Sequence, residues 1–129
     1  MDKMALQIQS EKSFEEISNL LEKTSPDKGF RVLAVHNVQK TLSEKGFQIK
    51  PLKIFEVCNA GFAYEALQSD IRAAMFMPCK IIVRPGESSG TNITLVRPSM
   101  IADLLPESDL DNLANDVERK LVDLIETIG

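Results

Sequence analysis

The chain has 129 residues, 15 basic and 19 acidic, for a formal charge of −4, with 43% apolar and 26% charged residues. This composition fits one globular domain spanning 1–129 and excludes wholesale disorder. With no Trp, one Tyr and a negative net charge, the chain lacks the stacking rings and basic footprint of a nucleic-acid binder. Its apolar runs also fall far short of the roughly 20 residues that cross a bilayer.

Along the chain, Met4, Leu6 and Ile8 alternate with smaller or polar residues, which predicts a first strand. Ser13 and Glu16 have the spacing of a capping box, and Phe14, Ile17, Leu20 and Leu21 form one helical face behind it. Pro26 and Gly29 end that helix. Residues 29–36 read as a second strand, apolar on both faces and therefore central in a sheet. Asn37 caps a short helix through Leu42 that stops at Gly46. A third strand runs from Leu52 to Val57, and Asn59 caps a helix that carries Ala63, Ala66 and Leu67.

Pro78 closes the apolar run 73–77. Residues 79–84 and 91–96 read as a hairpin around a Pro-Gly-Glu-Ser-Ser-Gly turn. One or two helical turns fit 98–104. Pro106 and Ser108 open the strongest periodic helix, with Leu110, Leu113, Val117, Leu121, Leu124 and Ile128 on one face. This order, closing on a hairpin and helices, predicts an α+β domain with helices packed on a mainly antiparallel sheet.

The blocks at 12–16, 29–36, 41–46, 54–59 and 77–83 carry a resemblance. In their order and spacing the chain resembles the domain of unknown function 302 family, a group of small bacterial and archaeal proteins. The resemblance implies a fold similar to the TATA-binding-protein-like class and association into homodimers, and it brings no assigned activity. The chain departs from the family pattern at Ala60, where a proline is usual after Cys-Asn, and at Arg97, where an acid usually precedes Pro98.

Two cysteines carry the chemical interest. The N-terminus shows no signal-peptide core, which places the chain in the cytoplasm, where thiols stay reduced. Cys58 lies at a strand-to-helix junction, one residue before a cap. There a thiolate can face unpaired helix N–H groups, although a small buried hydrophobe ending a strand reads the same way. Cys79 opens the next strand. If the two strands are antiparallel neighbours, both thiols fall at one sheet end; if parallel, at opposite ends. Met75 and Met77 can line an apolar pocket beside them or fill core gaps. Glu56 shares strand parity with Cys58 and is a candidate base.

His36 is the only histidine and could complete a His–Cys–Cys set for a soft metal or haem iron. No zinc-type spacing, nucleophile elbow or phosphate loop is present. The leading expectation is a thiol-dependent carrier of sulfane sulfur or a similar adduct. It uses Cys58 with Cys79 and Glu56, exchanges with a sulfur donor or acceptor protein, and requires no cofactor. With one histidine and no acid–base machinery, the pattern points away from a conventional enzyme. The alternatives are a homo-oligomeric binding module and a metal or haem binder through His36 and the cysteines.

Overall fold

The structure is a computed structural model that describes residues 3–129. Five strands, β1 (Ala5–Ser10), β2 (Arg31–Asn37), β3 (Lys53–Cys58), β4 (Cys79–Pro85) and β5 (Thr91–Val96), form one sheet. Its order is β1-β5-β4-β3-β2, and every neighbouring pair is antiparallel. The helices are α1 (Phe14–Thr24), α2 (Val38–Ser43), α3 (Ala60–Ser69), α4 (Met100–Leu104) and α5 (Asp111–Ile128). Short 3-10 turns cover Pro26–Lys28 and Ile71–Phe76. The α+β architecture read from the sequence is therefore the one observed.

Three helix starts follow from side-chain caps. Ser13 accepts from the Glu16 N–H, Asn37 from that of Lys40 and Asn59 from that of Phe62, each satisfying a donor the helix leaves open. The last helix starts later than its apolar stripe suggested. Residues 106–110 stay outside it, and Leu110 is buried at the cap position.

Strand parity places Phe55, Val57, Ile81, Val83, Ile93 and Leu95 on one sheet face. There they meet Ile17 and Leu21 of α1 and Val117, Leu121, Leu124, Ile125 and Ile128 of α5. The second face carries Ile54, Glu56, Lys80, Ile82 and Val96, outside both buried clusters.

One expectation is corrected here. The second strand is an edge strand, not a central one. Its apolar run does not alternate because the β2–β3 register shifts between Val32 and Ala34, leaving Leu33 51% exposed. An extra residue of this kind breaks the period-two pattern, so apolarity on both faces no longer signals burial on both.

A second, smaller core caps one end of the sheet. Ala73 from the 3-10 turn, Ile101 and Leu105 from the α4 region, and Leu110 and Ala114 at the start of α5 pack together with Ala66, Leu67, Phe76 and Met77. It stands at the end where β3 finishes and β4 begins. Among the described residues no helix is long and apolar enough to cross a membrane.

Candidate functional site

Cys58 is the last residue of β3, and Asn59 caps α3 immediately after it. The Asn59 amide holds the junction twice: its Oδ1 accepts from the Phe62 N–H, and its Nδ2 donates to the Gly29 carbonyl at 2.8 Å. Gly29 is suited to this contact. Its φ is +86°, a region glycine enters freely, and an added Cβ would come within 3.3 Å of Asn59 Nδ2. Ala60 starts α3 even without the proline usual at this position.

Cys79 opens β4 after the cis Met77–Pro78 bond. It pairs with Val57 across the antiparallel β3–β4 ladder, so the two cysteines share one sheet end. A step of one residue from a paired position puts their Cα atoms within about 10 Å. Both are free thiols and half-buried, and both border an apolar cavity of about 90 Å³. Val57, Phe62, Phe76, Met77, Ile101 and Leu110 are among the other walls. Met77 thus lines the cavity, whereas Met75 is 69% exposed and does not. The cavity is smaller than the ~150 Å³ apolar hole that takes up benzene, so the part of an occupant that sits inside it is a few heavy atoms.

The two thiols are not equivalent. Cys79 packs against the main core. Burial first, and then the neighbouring Cys58, push its thiol up to about 11, with Lys80 opposing the shift. At neutral pH it is an S–H group, not a thiolate. Cys58 also borders a second, open groove along β2, which it shares with Arg31, Leu33 and Glu22. It therefore stands between an apolar cavity and solvent.

Glu56 lies elsewhere. Its Oε1 is 2.8 Å from His36 Nε2, its Oε2 is 3.9 Å from Lys80 Nζ, and it lines neither cavity. Shared parity put it on the same sheet face as Cys58, but cross-strand neighbours on both sides engage its carboxylate. The structure thus does not bring Glu56 to the thiols. The His–Cys–Cys set is also corrected. His36 pairs with Ile54, four residues along β3 from Cys58, a separation of about 13 Å. Among the described residues no group of three His, Cys, Asp or Glu side chains could hold a metal ion.

Sequence reading missed most of the cavity wall. Phe76, Ile101 and Leu110 reach it from segments distant in the chain, so no local spacing marks them. Arg31 could have been found only with the β2–β3 register, which pairs it with Cys58.

The family model for the domain of unknown function DUF302 matches residues 6–128. The chain belongs to the DUF302 family. A solved DUF302 structure, an uncharacterized conserved protein from Bacillus stearothermophilus, is similar to it with a TM-score of 0.90 and 27% identity, covering 99% of this chain and 100% of that one. No curated protein matches the chain. Where the DUF302 pattern has an acid before Pro98, this chain places Arg97, whose Nη2 donates to Glu118 at 3.0 Å and so ties the end of β5 to α5.

Proposed function

We propose that this DUF302 protein carries sulfane sulfur, or a comparably small thiol adduct, on Cys58. The observation that supports this reading most strongly is that the two cysteines border one small apolar cavity from adjacent strands while Cys58 alone also opens on a solvent groove. In the loading step the Cys58 thiolate attacks the sulfane sulfur of a donor. A Cys58 S–S bond forms, the donor's bond to that sulfur breaks, and its electron pair leaves with the donor. No oxidant or reductant is consumed. The apolar walls keep water from the adduct, and the protonated Cys79 supplies a weak S–H donor beside it. A reducing compartment such as the cytoplasm suits two free thiols.

The test is passage of sulfur. Protein loaded with polysulfide and desalted is mixed with a small acceptor thiol, and persulfide is measured on the acceptor. Recovery that depends on Cys58 supports the carrier. No recovery from a loaded protein counts against it.

A second reading, a homo-oligomeric module, is favoured by one feature: Ile54 and Ile82 are register partners on the sheet face that neither core covers.

A further inference from the structure

The groove outside Cys58 contains a cation that no described residue engages. Arg31 is the register partner of Cys58 across the β2–β3 ladder, on the same sheet face, where directly opposed Cβ atoms are about 5 Å apart. It is exposed, and its side chain has no hydrogen-bond or ion-pair partner among the described residues. The acid that shares the groove, Glu22, forms no ion pair with it. Three other cations near the sheet are engaged: Lys80 faces Glu56, Arg97 holds Glu118 and Lys28 holds Asp123.

Resting on the carrier reading, we propose that Arg31 is a positioning residue that selects an anionic donor, one whose leaving group is an oxyanion of the thiosulfate or thiosulfonate class. The guanidinium fork matches the oxygens of such a group. With the oxyanion end on Arg31 in the open groove, the sulfane sulfur is directed toward Cys58 and the apolar cavity. The Cys58 thiolate attacks that sulfur and a Cys58 S–S bond forms. The sulfane–sulfonate bond breaks, and its electron pair leaves with sulfite or sulfinate, still held by Arg31 until it departs to solvent. The two sides of Cys58 thus have separate roles. The polar side receives the donor's charge, and the apolar side receives the transferred atom.

The experiment measures charge selectivity at Cys58 with two alkylating reagents of nearly equal size, anionic iodoacetate and neutral iodoacetamide, read on the Cys58 peptide by mass spectrometry. Wild type, Arg31→Gln and Arg31→Lys are compared, with thiosulfate loading measured alongside. A solvated charge pair a few ångströms apart changes a rate about fivefold. The iodoacetate-to-iodoacetamide rate ratio is therefore expected to fall about fivefold in Arg31→Gln and to be largely retained in Arg31→Lys. The iodoacetamide rate should fall by less than the iodoacetate rate, since both reagents need the thiolate that a nearby cation favours, and thiosulfate loading should fall in parallel with the ratio. An unchanged ratio, or an equal fall for both reagents, overturns the role of Arg31 even where polysulfide loads Cys58. A ratio that behaves as expected while no sulfane donor loads Cys58 instead overturns the carrier reading and the donor assignment with it.

Discussion

Cys58 follows directly on the residue that pairs with Cys79, so adjacent antiparallel strands deliver both thiols to one end of the sheet. The relationship is a consequence of register, and it leaves the pair chemically unequal. Cys79 packs against the core, while Cys58 lies between the apolar cavity and the β2 groove.

That inequality has a pH signature. The folded-state pKa of Cys79 is raised to about 11, above the ~8.5 of an unfolded cysteine. The folded state therefore keeps a proton that the unfolded state releases, and the associated stability is complete below the unfolded value and lost as pH rises through the folded one. Between about pH 8.5 and 11 the native protein should lose on the order of 2–3 kcal/mol more than a Cys79→Ala variant does. Denaturant titrations of both proteins at several pH values measure this. Parallel curves would show that Cys79 is not held protonated by the fold.

The helix that closes the main core should be intolerant of truncation. Leu121 is 0% exposed among the sheet residues and α1. Leu121→Ala should cost about 2–5 kcal/mol in chemical denaturation, and an unchanged midpoint would contradict the packing of α5 on the sheet.

Asn59 should separate two roles of one side chain. Asn59→Ala removes both the cap on α3 and the bond to Gly29, and should lower stability by about 1–2 kcal/mol. Asn59→Asp keeps a cap acceptor but lacks the donor, so it should fall between wild type and Ala. Equal stability of all three proteins would show that the junction behind Cys58 is held by something else.

Self-association is expected through the sheet face that carries Ile54 and Ile82. Sedimentation at tens of micromolar, the range in which an ordinary stable dimer forms, should show a dimer or larger species, weakened by Ile82→Glu. A monomer throughout would contradict the module reading and leave the thiol site untouched.

How much could be read in advance depended on whether the signal was local. The caps at Ser13, Asn37 and Asn59 and the stripe from Val117 to Ile128 are local, and each marked its element. The edge position of β2 was not legible, because an exposed Leu33 at a register shift looks like a buried one in a string of letters. Residues 73–77 read only as an apolar run, since the six-residue 3-10 turn Ile71–Phe76 that overlaps them has neither helix nor strand periodicity. At the site, the cysteines could be singled out from their junctions. Their common cavity, the engagement of Glu56 by His36 and Lys80, and the pairing of Arg31 with Cys58 all depend on register between strands distant in sequence.

The carrier reading is tested most directly by the intact mass of the protein after incubation with a persulfide or polysulfide donor, wild type beside Cys58→Ser and Cys79→Ser. The account predicts added masses of whole sulfur atoms on the wild type, removed by reductant, absent from Cys58→Ser and still formed on Cys79→Ser. An unmodified wild-type mass, or the same adducts on Cys58→Ser, would contradict it.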